Sequence, residues 1–146
     1  MSVQRLRGWL SGLWAGMVLF LGGAAAPSLF AALDRVSAGR AAARLFQTEA
    51  YASLALAVLL IVVERRCTGA RRAAEPARSP MSPELLLALF ALFCTVAGYF
   101  AIQPMMEQAR AGQGSWSFGA LHAVSSAFFL GKGAALLVLA WRCAPR

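Results

Sequence analysis

The sequence predicts an all-α protein, a four-helix transmembrane bundle with both termini in the cytoplasm. Three observations lead to this prediction. Hydrophobic residues make up 60% of the 146 positions and charged residues only 14%, a balance too apolar for an ordinary soluble domain. The apolar residues form four long runs, close to the length that crosses a hydrocarbon core about 30 Å thick. Basic residues favour one side of these runs. The length supports a single integral membrane domain over residues 1–146.

The first predicted span begins at Trp9 and carries Pro27 and Ser28 near its far end, where they interrupt the helical ladder. Its basic start and the alanines at 24–26 imitate a signal peptide. Because Pro27 obstructs cleavage directly after those alanines, we expect an uncleaved span. The four spans are predicted at about residues 9–33, 45–63, 85–102 and 118–141.

Serine residues stand where the three later helices are expected to begin, and a serine hydroxyl can cap a first helical turn. The predicted caps are Ser37, Ser82 and Ser117. The second helix is expected to start outside the membrane and to enter it near Leu45. Residues 64–84 are predicted to form a cytoplasmic loop, because their central part carries charges and prolines without an apolar period.

Basic residues are divided unequally between the two sides that alternate spans define. Nine are predicted on the side of the termini: Arg5, Arg7, Arg65, Arg66, Arg71, Arg72, Arg78, Arg142 and Arg146. The other side has four: Arg35, Arg40, Arg44 and Arg110. The positive-inside rule therefore places both termini in the cytoplasm. Arginine outnumbers lysine thirteen to one, a bias typical of GC-rich bacterial genomes, so we expect a bacterial inner membrane protein.

The segment ERRCTGARR at residues 64–72 would lie at the cytoplasmic surface, where it is expected to bind anionic lipid head groups. The net charge of +8 alone would also suit nucleic acid, but no nucleic-acid-binding motif is present, so we expect no such partner. A homo-oligomer or a partner membrane protein stays open. Cys67, Cys94 and Cys143 show neither metal-ligand nor redox spacing and are expected to be ordinary thiols.

Ionisable residues inside membrane spans are candidate functional sites, because burying charge in lipid is costly. Glu49 and His122 each lie about four residues inside the outer end of a predicted span, and Tyr99 and Gln103 lie at similar depth. We therefore predict that these four residues converge in an outward-facing polar layer. The layer is either a pocket for a small solute or ion, or a hydrogen-bonded clamp between helices. The clamp is favoured, since a lone histidine more often satisfies a packing role.

Lys132 lies about ten residues deeper than His122, hence roughly 15 Å, so direct pairing with Glu49 is not expected. Our preferred interpretation is that its ammonium group snorkels toward the cytoplasmic surface near Arg142. A substrate contact at the membrane midplane is the alternative.

Gly8, Gly12 and Gly16 repeat at a spacing of four and so share one helix face. In lipid, a stripe of small residues lets another helix backbone approach closely. The stripe is therefore predicted to mediate helix packing, either within the bundle or with a partner.

Metal and enzymatic chemistry are weakly supported. Met105, Met106 and His122 include soft ligands suited to Cu(I), but no spacing brings the three together. His122 is the only histidine, which excludes a two-histidine haem site within one chain. Neither a nucleophile motif nor paired carboxylates are present. We expect no metal, no cofactor and no enzymatic activity.

Three stretches resemble a known family. These are LWAGMVLFLGGAAAPSLFAALDRVSAGRAAARLFQTEAY at residues 13–51, GYFAIQP at 98–104 and FGALHAVSSAFFL at 118–130. They are similar to the transmembrane protein 205-like family, whose bacterial members are grouped as DUF4149. The resemblance implies a four-helix integral membrane protein and no established reaction. Members often carry a histidine where this chain has Tyr99, so a two-histidine metal or haem site of such relatives is not implied here.

Two functional hypotheses follow. The first is an integral membrane protein of unknown molecular function that handles a small solute or ion through the outward-facing polar layer. The second is a structural or assembly protein that binds a partner helix through the glycine stripe. The direction in which the stripe points distinguishes them, because glycines that face lipid favour a partner.

Overall fold

A computed structural model describes residues 3–75 and 79–144, and every regular element there is helical. The membrane-length helices are α1 (Val3–Ala32), α2 (Arg35–Ala74), α3 (Pro83–Arg110) and α4 (Phe118–Cys143). Helices α1 and α3 each pack mainly against α2 and α4, so the four helices surround one core. All four are long and apolar enough to cross a membrane. The predicted all-α bundle of four spans is confirmed, and the protein is a multi-pass membrane protein in a lipid environment.

Side-chain caps fix where three helices begin. Ser82 accepts from the Leu85 amide at 3.1 Å, and Ser117 accepts from the Ala120 amide at 3.2 Å, so both predicted caps are confirmed. The prediction for Ser37 is wrong. Asp34 caps α2 instead, since its carboxylate accepts from the Val36 and Ser37 amides at 3.0 Å. A carboxylate also suits the positive end of the helix dipole.

Helix α2 extends beyond the predicted second span at both ends. It begins at Arg35, ten residues before the expected membrane entry, and it continues to Ala74. The predicted loop over 64–84 is therefore wrong for residues 64–74, where alanine and arginine, which are good helix formers, dominate. Glu75 ends the helix with φ −146° and ψ 88°, outside the helical region, and a proline follows it in the sequence. Residues 76–78 lie outside the described part of the chain, as do residues 1–2 and 145–146.

Two of the helices contain a π-helical segment that precedes a proline. The segment Leu21–Ala25 precedes Pro27 in α1, and Val96–Ala101 precedes Pro104 in α3. Proline cannot donate to the carbonyl four residues back, and a wider turn accommodates that lost bond. The interruption expected at Pro27 is thus local, and helix α1 continues to Ala32.

Small residues line much of the core. Ala57, Ala88 and Ala91 are fully buried and allow the helices to approach closely. They pack with Trp14, Val18, Leu60, Leu136 and Leu139 in the main apolar cluster. A second cluster of Ile102, Met106 and Leu121 lies where α3 and α4 meet near their connecting turn. Large apolar side chains such as Phe20 and Leu130 point outward, as expected of a surface that faces lipid.

Candidate functional site in the bundle core

The middle of the bundle holds a buried ion pair between α2 and α4. Lys132 Nζ donates to Glu49 Oε1 at 2.7 Å and to Oε2 at 2.9 Å. The Ser53 hydroxyl donates to Glu49 Oε1 at 2.5 Å and accepts from Trp14 Nε1 at 2.8 Å. The Lys132 and Glu49 side chains are 4% and 5% exposed. These four residues, which we call the central network, join α1, α2 and α4.

The expectation that Glu49 and Lys132 lie at different depths is wrong, and the start of α2 explains why. Glu49 lies fourteen positions after Arg35, and Lys132 lies fourteen positions after Phe118. At about 1.5 Å per residue both side chains are roughly 21 Å from the first residue of their helices. Depth measured from Leu45, where the apolar run begins, misplaces Glu49 by ten residues. Lys132 does not snorkel to the surface, because the carboxylate neutralises it inside the bundle.

The structure does not assemble the predicted outer polar layer. His122 is exposed, and its ring stacks on Phe118 with centroids 5.8 Å apart. Ten residues at 3.6 per turn place His122 about 80° around α4 from Lys132, so the two side chains leave the helix in different directions. His122 and Glu49 therefore do not meet.

Tyr99 and Gln103 are half-buried on α3 and lie outside the central network. The ring of Tyr99 meets Phe100 edge-on with centroids 5.2 Å apart, and Phe100 meets Tyr51 of α2 at 5.5 Å. The half-buried Ser125 of α4 donates to the Gly98 carbonyl at 2.8 Å. Aromatic packing and this single hydrogen bond thus hold α3 in the region where a polar cluster was expected.

One face of α2 carries both the central network and a second charged layer. Glu49, Ser53, Leu60 and Glu64 recur at helical spacing and are all buried. The spacing of four, seven and four residues between these positions is visible in the sequence, and it predicts that Glu64 lies inside the bundle. Assigning Glu64 to a loop concealed that signal.

The second charged layer lies at the end of the bundle where α1 and α3 start and α4 ends. Arg7 Nη1 lies 3.4 Å from Glu64 Oε1, with side chains 7% and 0% exposed. Arg142 Nε donates to Glu84 Oε1 at 3.0 Å, and Arg142 Nη2 lies 2.9 Å from the same oxygen. We call these four residues the terminal layer. The sequence analysis did not predict this layer, because it treated Arg7 only as one of the basic residues on the cytoplasmic side of the membrane.

An apolar barrier separates the two charged regions. Trp14, Leu60, Leu136 and Leu139 are all 0% exposed and belong to the main apolar cluster. Ser11, which lies beside this barrier on α1, donates back to the Arg7 carbonyl at 3.0 Å. The two charged regions are therefore separate sites.

The glycine stripe is divided between two environments. A Cβ added at Gly8 would lie 3.0 Å from the Cys143 carbonyl oxygen, so Gly8 lets α1 approach the end of α4. A Cβ added at Gly12 or Gly16 would have no neighbour within 4 Å, and both residues are exposed. The first glycine thus serves internal packing, while the other two face outward.

Two cavities in the described part of the chain lie at opposite ends of the bundle. One of about 170 Å³ is lined by residues that include Met105, Gln108 and Trp116. The other, of about 180 Å³, is lined by residues that include Thr68 and Ser82. Neither is lined by Glu49 or Lys132. Within the same part of the chain, no three His, Cys, Asp or Glu side chains form a group that would hold a metal ion.

Comparison with known proteins gives one family. The model of DUF4149, a domain of unknown function, matches residues 9–115 and so covers α1, α2, α3 and the turn that follows. No curated protein and no solved structure matches the chain. The broader resemblance to the transmembrane protein 205-like family stays a prediction. With most of its length matched, the chain belongs to the DUF4149 family.

Proposed function

We propose that this protein is a non-enzymatic, ion-handling membrane protein whose exchange site is the pair of Glu49 and Lys132. The observation that supports the proposal is the pair itself, which is buried, joined by two hydrogen bonds and placed fourteen residues after the first residue of each of two membrane-length helices. Ionisable residues at such depth are rare because they are expensive, and they commonly mark ion pathways.

The proposed exchange follows from charge balance. A proton or small cation that reaches Glu49 competes with Lys132 for the carboxylate, and the displaced ammonium is then left without compensation in a low-dielectric interior. Ser53 and Trp14 connect the same carboxylate to α2 and α1. Exchange at Glu49 would therefore loosen α4 from α2 and alter the position of α1. The closed packing around the pair corresponds, in this proposal, to the resting state.

Ion flux into liposomes tests this proposal. Purified protein is reconstituted with a pH-sensitive dye inside the liposomes, and proton entry is followed under an imposed potential; sodium and potassium are followed with their own dyes. We expect flux above that of protein-free liposomes, lost in Glu49→Gln. Glu107→Gln is the matched control, since Glu107 is an exposed acid on α3. Flux equal to that of protein-free liposomes for all three cations, or full flux in Glu49→Gln, would overturn the proposal.

The second candidate function is structural, with a partner helix docked on α1. The outward direction of Gly12 and Gly16 favours it, because a glycine pair lets helix backbones approach closely in lipid. Energy transfer between labelled molecules in liposomes tests self-association. Gly12→Leu should abolish the transfer, and Gly119→Leu should not, since Gly119 is an exposed glycine on α4. Equal transfer in both variants would contradict a role for this face in self-association.

Orientation and compartment complete the proposal. Both termini face the cytoplasm of a bacterial cell, and the protein resides in the inner membrane. Arg65, Arg66 and Arg72 are exposed near the end of α2, where they would meet anionic lipid head groups on the cytoplasmic side.

A further inference from the structure

Five buried polar atoms of the terminal end have no hydrogen-bond partner among the described residues. They are Arg7 Nε, Arg7 Nη1, Glu64 Oε1, Glu64 Oε2 and Thr68 Oγ1. Arg7 and Glu64 approach to 3.4 Å, which neutralises charge but leaves the individual hydrogen-bonding positions unfilled. The central network differs, because both oxygens of Glu49 accept hydrogen bonds there.

The arginine nitrogens among these atoms need an acceptor, and the glutamate oxygens need a donor. One partner serves both kinds of atom only if it can donate and accept. A buried donor or acceptor left unmatched costs about 1–3 kcal/mol, more for a charged group. The guanidinium offers donors only, and the carboxylate offers acceptors only. The terminal layer contains two arginines and two glutamates, so these four side chains neutralise one another without a bound ion. A small neutral molecule with both functions, which is water, fits all five atoms.

We infer that the terminal end of the bundle encloses bound water that bridges Arg7 to Glu64 and Thr68. Thr68 also lines the end cavity of about 180 Å³ together with Ser82, which gives water a route from the surface. Trp14, Leu60, Leu136 and Leu139 close the other side, so hydration ends at the apolar barrier. The inference concerns a different site from the proposed ion exchange and does not depend on it.

Two native thiols report on this water. Cys143 lies at the hydrated end, where it interacts electrostatically with Arg7 and Glu64 and is 4% exposed. Cys94 lies deep in the bundle near Lys132 and is 3% exposed. The two thiols are almost equally buried, but Cys143 lies near the unpaired polar atoms and at the end of its helix, whereas Cys94 lies within a helix.

Exchange of the thiol hydrogen for deuterium, followed by infrared absorption of the S–H stretch, tests the inference. Two single-thiol proteins in lipid are compared, C67A/C94A, which keeps Cys143, and C67A/C143A, which keeps Cys94. We expect Cys143 to exchange at least about tenfold faster than Cys94, because bound water reaches it without global opening. Equal and slow exchange at both thiols would overturn the inference.

A second variant separates bound water from fraying of the end of α4. Arg7→Met with Glu64→Met replaces the charged pair by apolar groups and removes the atoms that hold water. In the Cys143 protein this change should slow thiol exchange to the rate found for Cys94. Unchanged fast exchange would show that fraying supplies the solvent and would overturn the inference. If this variant does not fold, Thr68→Val removes one of the five atoms that would hold water and should slow exchange at Cys143. Unchanged fast exchange there would overturn the inference.

Discussion

Lys132 donates to both carboxylate oxygens of Glu49, at 2.7 and 2.9 Å, although 83 residues separate them along the chain. The pair fixes the register of α2 against α4, because a shift by one turn would leave each charge alone in an apolar interior. The ring of Phe129 also packs near the ammonium group, with its centroid 5.1 Å from Lys132 Nζ.

Lys132→Met should destabilise the protein far more than removing both charges together. The single change leaves Glu49 buried without a counter-charge, a cost of about 3–5 kcal/mol. Glu49→Gln combined with Lys132→Met should recover most of this loss, because no charge remains. Unfolding in lipid or mild detergent measures the free energies. Equal destabilisation by the single and double changes would show that the pair does not act as a unit.

The hydrogen bond from Trp14 to Ser53 should be measurable separately from the packing of the indole. Trp14→Phe retains an aromatic ring but removes the donor, and we expect a loss of about 1 kcal/mol. Trp14→Ala also leaves a cavity and should cost about 3–5 kcal/mol. The same unfolding experiment compares the two variants. Similar losses in both would assign the role of Trp14 to its polar nitrogen alone.

The close approach of α3 to α4 depends on glycine at position 98. A Cβ added there would lie 2.6 Å from Phe128 Cβ, an atom close to the backbone that cannot turn away. Gly98→Ala should therefore destabilise the protein by about 1–3 kcal/mol. Gly12→Ala, which meets no atom within 4 Å, is the control and should be tolerated. Thermal unfolding that is unchanged in Gly98→Ala would contradict this close packing of α3 against α4.

The start of α2 should respond to pH through Asp34. Hydrogen bonds involving Ser37 hold the pKa of this exposed carboxyl below its ordinary value of 3.8. Its capping contribution is therefore complete above that value and is lost as the pH falls through the lower folded pKa. The amide shift of Ser37 should follow this titration by nuclear magnetic resonance. Asp34→Asn keeps a cap and should abolish the response; a persistent response would assign it to another group.

The native thiols of Cys67 and Cys143 cannot report topology, because both are buried. Ala73→Cys near the end of α2 and Ser115→Cys in the turn after α3 place thiols at exposed positions at opposite ends of the bundle. With cytoplasmic termini, an impermeant reagent added to intact cells should label position 115 and spare position 73. The reverse pattern would place the termini outside.

Local signals in the sequence predicted the helices and two of their caps. The candidate site could not be predicted in this way, because it is formed by contacts between different helices. The apolar runs and the residues Ser82 and Ser117 sufficed for element type and helix starts. The partner of Glu49 did not follow, because a helix that begins at Arg35 outside its apolar run changes every depth estimate on α2. The sequence alone shows that burying Lys132 at the membrane midplane is energetically costly. It does not show the carboxylate on another helix that compensates this cost.

The distance between Lys132 Nζ and the Glu49 carboxyl carbon in lipid is the decisive measurement for the buried pair. Nitrogen–carbon recoupling by solid-state magnetic resonance measures it, with the Arg142 and Glu84 pair as an internal standard. We expect direct magnetisation transfer between Lys132 Nζ and the Glu49 carboxyl carbon, lost in Glu49→Gln. If magnetisation transfer is observed between Arg142 and Glu84 but not between Lys132 and Glu49, the buried pair is contradicted. The proposed exchange site, which depends on that pair, is then contradicted as well.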